Sequence, residues 1–182
     1  MQPAHKFGWF PEQKRKYECP DILAFERTFG PERLVIGPSA DHRLIFFQLM
    51  PEPLGILYLL VVPRGGSEGG RYQTASPVSK QQAEGFLSNF REYLENDGRH
   101  DIWVASMSGP DQLVYDRHYV IYAYGRLREY ENALLGGGLR KVEFVRFPSP
   151  HTHNYHAAFD QDELNLLRHW RWKRSPLREN DE

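Results

Sequence analysis

Cysteine is almost absent from this sequence: Cys19 is the single one among 182 residues. One thiol excludes an internal disulfide and also a zinc site built from cysteines. Cys19 precedes Pro20 and does not begin a predicted helix, so nothing marks it as an activated thiolate. The sequence therefore gives no reason to expect chemistry at sulfur.

Long hydrophobic runs and an excess of one charge are also missing. The longest apolar stretch, Leu54 to Val62, is much shorter than the roughly 20 residues that span a bilayer. The first residues contain no apolar signal-peptide core. The formal net charge is −1, so no global field attracts nucleic acid or an anionic membrane. We therefore expect a cytoplasmic protein that does not bind membranes, and nucleic-acid binding only through a local patch.

Complete catalytic motifs are absent as well. There is no Gly-x-Ser-x-Gly, no Cys-x-x-Cys, no Gly-x-Gly-x-x-Gly after a predicted strand and no His-Glu-x-x-His. Catalytic groups assembled from distant residues need no local motif, so an enzyme is not excluded. The leading hypothesis is a non-catalytic protein that binds an unknown protein, a small ligand or a second copy of itself as a homodimer.

What is present suffices for one folded domain. Hydrophobic residues make up 40% of the chain and aromatic residues 14%, enough for a core at this length. We predict a single α+β domain over residues 19–172. The polar segment 1–18 is expected to be loose, and the charged tail 173–182 is expected to fray.

The spacing of apolar residues predicts helices and strands in clusters. The clearest helix covers 80–95, with an apolar stripe and a capping box formed by Ser79 and Gln82. Further predicted helices are 21–29, 126–135 and 161–172, and predicted strands are 43–49, 54–62, 101–107, 112–116, 119–124 and 141–147. This order favours a largely antiparallel or mixed sheet of about six to seven strands, with three to four helices packed on it.

A histidine-rich segment is the most informative motif. His151, His153 and His156 lie within six residues, and imidazole is a common ligand of zinc and similar ions. In an extended strand His151 and His153 share a face, whereas His156 has the opposite parity and joins them only if the chain bends. These residues support a second hypothesis, a metal-dependent hydrolase with a divalent transition metal as cofactor.

Asp116 and His118 form a second candidate pair. In an extended chain the carboxylate could orient the imidazole for acid–base work, or both residues could complete the metal ligands of the histidine segment. The alternative is a polar turn between two apolar strands. Nearby, Tyr122 and Tyr124 share a strand face that belongs either to the core or to an interaction surface.

Two further segments suggest anion binding. Four glycines between two arginines, Arg64, Gly65, Gly66, Gly69, Gly70 and Arg71, could cradle an anion, although no Gly-Lys-Ser/Thr follows and a flexible loop is the simpler reading. The stretch Arg168 to Arg174 interleaves cations with tryptophans, which is typical of nucleic-acid surfaces. Cations also suit the last turn of a helix, so nucleic-acid binding is the third hypothesis.

Overall fold

A computed structural model describes residues 5–9, 24–38, 49–146 and 150–181. Eleven strands are present in this part of the chain. They are β1 (Phe7–Trp9), β2 (Ala24–Phe29), β3 (Glu32–Ile36), β4 (Leu54–Leu60), β5 (Gly70–Thr74), β6 (His100–Ser106), β7 (Gln112–Tyr115), β8 (Ile121–Tyr124), β9 (Arg140–Lys141), β10 (His151–His153) and β11 (Trp172–Ser175).

Nine of these strands form one mixed sheet in the order β11-β5-β4-β6-β7-β8-β3-β2-β9. Neighbouring strands are antiparallel except for β2 and β9, which are parallel. Short connections between successive apolar segments explain the antiparallel pairing. The remaining strands, β1 and β10, pair with each other in a small antiparallel sheet.

Four α-helices accompany the sheet: α1 (Lys80–Asn89), α2 (Arg91–Asn96), α3 (Leu127–Gly136) and α4 (Asp160–His169). The predicted capping box is present, because the Ser79 hydroxyl accepts from the Gln82 backbone N–H and the Gln82 side-chain oxygen accepts from the Ser79 backbone N–H. The predicted stripe of helix 80–95 is buried as expected, although the helix is interrupted at Phe90. No helix in the described ranges is long and apolar enough to cross a bilayer.

The main core lies between these helices and one face of the nine-stranded sheet, which we call the inner face. Side chains alternate along each strand, so Ile56, Tyr58, Ile102 and Val104 are buried in this core. Their neighbours Gly55, Leu57, Trp103 and Ala105 lie on the opposite, outer face and are partly exposed. β4 is therefore fully buried on its inner face and only partly buried on its outer face by the described residues.

The α+β prediction is confirmed, with more strands than expected. The helix predicted for 21–29 is wrong: residues Ala24–Phe29 form β2, with Phe25 buried and Phe29 82% exposed. The strand predicted for 141–147 is wrong for the described residues 142–146, and the last helix ends at His169 instead of 172. Its buried residues are Glu163 and Leu166. The predicted strand 43–49 lies almost entirely outside the described residues.

Both chain ends contribute to the fold. In the segment predicted to be loose, His5 and Lys6 are buried and β1 pairs with β10. In the tail predicted to fray, β11 pairs with β5, and Asp181 is buried in an ion pair with Arg71. These pairings are long-range in sequence, so the local composition on which the predictions rested does not reveal them.

Candidate metal centre

The turn between β7 and β8 is organised by one carboxylate. Asp116 Oδ1 accepts the backbone N–H of His118 at 2.8 Å and that of Val120 at 2.9 Å. Tyr119 completes the turn in the left-handed region, with φ of 64°. Asp116 Oδ2 lies 2.8 Å from His118 Nδ1. The structure thus contains both the polar turn and the Asp116–His118 pair that the sequence suggested.

This pair determines which imidazole nitrogen can bind an ion. A neutral histidine that donates Nδ1–H to a carboxylate carries its lone pair on Nε2. Metal-binding histidines usually donate their second nitrogen in this way, which fixes the orientation of the ring. His118 therefore has the support that a ligand of a metal ion requires.

Two more histidines are presented by β10. In its pairing with β1, His153 lies opposite Phe7 and His151 opposite Trp9. Alternation along the strand puts both imidazoles on one face, as predicted. The ring centroid of His118 lies 5.0 Å from that of His151 and 4.8 Å from that of His153. The strand thus faces the β7–β8 turn across a short gap.

His118, His151 and His153, which we call the histidine triad, can each direct one nitrogen to a common point. These three nitrogens all lie within 4.8 Å of one another. Tetrahedral zinc with Zn–N bonds of about 2.0–2.1 Å separates its nitrogens by roughly 3.3 Å. Shifts of less than about 1 Å per nitrogen would therefore suffice to close the triad around an ion.

The electrostatic environment keeps His153 in the form that binds metals. Burial, together with the neighbouring His118 and His151, lowers the pKa of His153 to about 3. The imidazole is therefore neutral at physiological pH. Metal ions bind the neutral ring, so no proton has to leave His153 before an ion is bound.

His156, the third histidine of the predicted segment, lies outside the triad. Its Nε2 is 2.9 Å from the carbonyl oxygen of His5, and its backbone N–H donates to Asp97 Oδ2 at 2.8 Å. The chain does bend after Asn154, but into a 3₁₀ turn, Ala157–Phe159, that leads away to α4. His156 therefore joins the amino-terminal segment to Asp97, which follows the end of α2.

Lys6 contacts the turn that carries His118 and was not identified from the sequence. Its Nζ donates to the backbone oxygen of Asp116 at 3.0 Å and to that of Leu94 at 3.1 Å. It also lies 3.8 Å from the centroid of the Tyr115 ring. Burial lowers the pKa of Lys6 to about 8. A lysine beside β1 thus binds the turn that presents His118, a contact that no local pattern signals.

The glycine-rich segment binds a carboxylate of the protein itself. The backbone N–H groups of Arg64 and Gly65 donate to Glu163 at 3.2 and 3.0 Å. A Cβ at Gly65 would lie 2.5 Å from the Asp160 backbone oxygen, so close packing against α4 requires glycine there. Farther along, Arg71 pairs with Asp181. The amides of Arg64 and Gly65 thus point at an anion, as in the predicted cradle, and binding of a free anion by Gly66, Gly69 and Gly70 stays a prediction.

The remaining predicted residues lie apart from the triad. Tyr122 and Tyr124 are partly exposed on the outer face, where Arg33 lies over the Tyr122 ring and donates to the Tyr124 hydroxyl. Trp170 stacks on Phe86 with centroids 4.3 Å apart, and Trp172 contacts the same ring edge-on. Both tryptophans therefore pack against the core, while the neighbouring cations stay exposed: Arg168, Arg171, Lys173 and Arg174.

Comparisons with known proteins were made by family, by curated sequence and by solved structure. No family model, no curated protein and no solved structure matches this chain. Function is therefore inferred from the geometry of the site alone.

Proposed function

We propose that this protein binds one divalent transition-metal ion through His118, His151 and His153 and is a metal-dependent hydrolase. The observation that carries the proposal is the convergence of three imidazole nitrogens within 4.8 Å of one another. The geometry favours this second sequence hypothesis over the first, that of a purely binding protein. It replaces His156 by His118 as the third ligand.

Three features beyond the convergence support a metal. Asp116 lies at hydrogen-bonding distance from the far nitrogen of His118, the arrangement that supporting residues have around zinc. His153 has a lowered pKa and is neutral, so this ligand carries no charge that would repel an incoming cation. All three imidazoles are partly exposed, which gives an ion a route from solvent.

Three ligands converge among the described residues, and this number favours a catalytic over a structural role. Structural zinc sites are closed by four protein ligands, whereas catalytic sites have three and leave one position for water or substrate. An ion in such a site supplies a water of lowered pKa and polarises the bond that is attacked. The side chain of His118 is 30% exposed, so a substrate can reach the open side of the triad.

The first test is the metal content of protein purified without a histidine tag. We expect about one zinc, nickel or other transition ion per chain in the wild-type protein. His118→Ala, His151→Ala and His153→Ala should each lose the ion. His169→Ala provides the matched control, because this exposed histidine of α4 packs on Phe86 and Phe90 and is not part of the triad.

The same variants test the reaction. Protein loaded with zinc, manganese or nickel should hydrolyse p-nitrophenyl acetate or p-nitrophenyl phosphate, and the triad variants should not. No bound metal in the wild-type protein, even after loading, would remove the proposal and return the binding hypothesis to first place. If the protein binds stoichiometric metal but hydrolyses neither ester, the proposed metal centre is supported and the proposed hydrolase activity is rejected.

A further inference from the structure

A cleft of about 340 Å³ opens on the outer face of the nine-stranded sheet, away from the histidine triad. Its floor lies where the side chains are smallest, because Gly55 of β4 pairs with Ala105 of β6. Gln112 of β7 pairs with Ala105 on the other side. A volume of this size lies at the lower end of the range typical of small-molecule sites, roughly 300–1,000 Å³.

Large apolar side chains form the walls of the cleft. Trp103 and Leu57 are directly opposed in the next row of the sheet, and both line the cleft. Met107, which is 59% exposed, closes the opposite side. A Cβ added to Gly55 would lie 3.8 Å from the nearest Met107 atom, at ordinary contact distance. The space between the walls thus suits a flat group that contacts both.

The charge in the cleft has one sign. Arg71 and Lys173 line it, and no carboxylate does so among the residues that the structure describes. Arg71 lies over the Trp103 ring and is paired with Asp181, so its charge is largely compensated. Lys173 is exposed and lies opposite Gln73, which is itself opposite Leu57, so Lys173 extends the Leu57–Trp103 row toward the edge of the sheet. The cleft thus combines an aromatic wall with a cation at its rim.

The cleft and the proposed metal centre are too far apart to form one site. The floor residue Gln112 and Asp116 are four positions apart along β7 and the turn that follows it. At about 3.4 Å per residue, they lie roughly 14 Å apart. A molecule with one or two rings does not span that distance while it stays in the cleft.

We propose that the cleft is a second binding site, for a small planar carboxylate with one or two aromatic rings. The rings lie over Gly55 and Ala105, against Trp103, and the carboxylate contacts Lys173. Stacking on the indole and one partly exposed ion pair account for recognition. The proposal does not rest on the metal centre.

The test uses naphthalene-2-carboxylate as the probe and the indole N–H signals of the ¹⁵N-labelled full chain as the readout. The Trp103 signal is assigned from its loss in Trp103→Phe. We expect this signal to shift in a saturable manner, with a Kd of about 1 mM or lower. The neutral analogue naphthalene-2-carboxamide should bind about fivefold more weakly, as expected for the loss of one exposed ion pair.

Three variants distinguish a built site from non-specific binding. Lys173→Gln should weaken the carboxylate about fivefold and leave the carboxamide unchanged. Lys141→Gln, at the opposite edge of the same sheet, is the control and should bind both probes as the wild-type protein does. Ala105→Leu should fill the floor and abolish binding, while its other amide signals show that the fold is retained.

The proposal is overturned if the Trp103 signal does not move at about 5 mM probe, a concentration well above the expected Kd. It is also overturned if Ala105→Leu binds like the wild-type protein, or if the carboxylate and the carboxamide bind equally. Each result can be obtained with metal-free protein. Failure here therefore leaves the metal centre untouched, and loss of the metal centre leaves the cleft untouched.

Discussion

At the scale of single residues, Asp116 connects the chemistry of the site to the fold. Its Oδ1 accepts two backbone N–H groups of the turn, and its Oδ2 lies beside His118 Nδ1. Its backbone oxygen accepts from Lys6. One residue thus shapes the turn, orients the ligand and joins both to the amino-terminal segment.

We expect Asp116→Asn to weaken metal binding about 10- to 100-fold, the usual cost of changing a group that supports a metal ligand. The asparagine keeps the size of the side chain but removes its charge and can present an N–H to His118. Competition with a chelator measures the affinity. Thermal unfolding of the metal-free protein provides the control, because a purely structural Asp116 would lower stability and leave the affinity of the folded protein unchanged.

The alternation of side chains between the two faces of a strand explains how much of the site is predictable from the sequence. Alternation puts His151 and His153 on one face, and the structure follows this pattern, whereas His156 lies beyond the end of β10. The position of His118 near that face depends on the packing of β10 against the β7–β8 turn. Since no local pattern encodes that contact, the sequence suggested His118 as a ligand only by its residue type.

At the scale of elements, a buried ionic network joins α4 to the loop after α2. The Arg99 side chain is fully buried and donates to Asp97, to Glu163 at 2.7 Å and to Asp160 at 3.1 Å. It also donates to the backbone oxygen of His156. Glu163 in turn binds the amides of Arg64 and Gly65. The first turn of α4 therefore holds both the glycine-rich segment and the chain that follows β10.

We expect Glu163→Gln to lower the free energy of unfolding by about 3–5 kcal/mol, because it leaves the buried Arg99 charge incompletely compensated. Urea unfolding measures the change. Asp162→Asn, one position away and partly exposed, is the matched control and should cost less than about 0.5 kcal/mol. Equal effects of the two substitutions would show that α4 contributes through its charge alone and not through this network.

The helices and strands differ in how far the sequence reveals them. Residues 80–96 are predicted well because Ser79, Gln82 and an apolar stripe encode the helix within a single segment. In the sequence 21–29, which includes β2, the apolar spacing of Ile22, Phe25 and Phe29 also fits a helix. The strand forms instead because Ala24–Phe29 pairs with β3 and with the distant β9. Pairing partners outside the segment decide such cases, and propensity alone does not identify them.

At the scale of the whole molecule, the histidine triad joins two sheets. His118 belongs to the turn after β7 of the nine-stranded sheet, and His151 and His153 belong to the small sheet of β1 and β10. Contacts such as Lys6 with Asp116 join the same parts without a metal. An ion bound by all three histidines would add a link between elements that are distant in sequence.

We therefore expect zinc to protect the small sheet more than the rest of the molecule. A ligand that binds only the folded state at a hundred times its Kd stabilises that state by about 2.7 kcal/mol. Hydrogen exchange should show the largest slowing at the amides of β1 and β10, since these two strands pair only with each other. His169→Ala should show the same protection, and His153→Ala should show none. Zinc that slows exchange equally in His153→Ala, or that slows it only in α4, would place the ion elsewhere. Protection confined to β1, β10 and the β7–β8 turn would mean that one ion holds the amino-terminal strand against the main sheet.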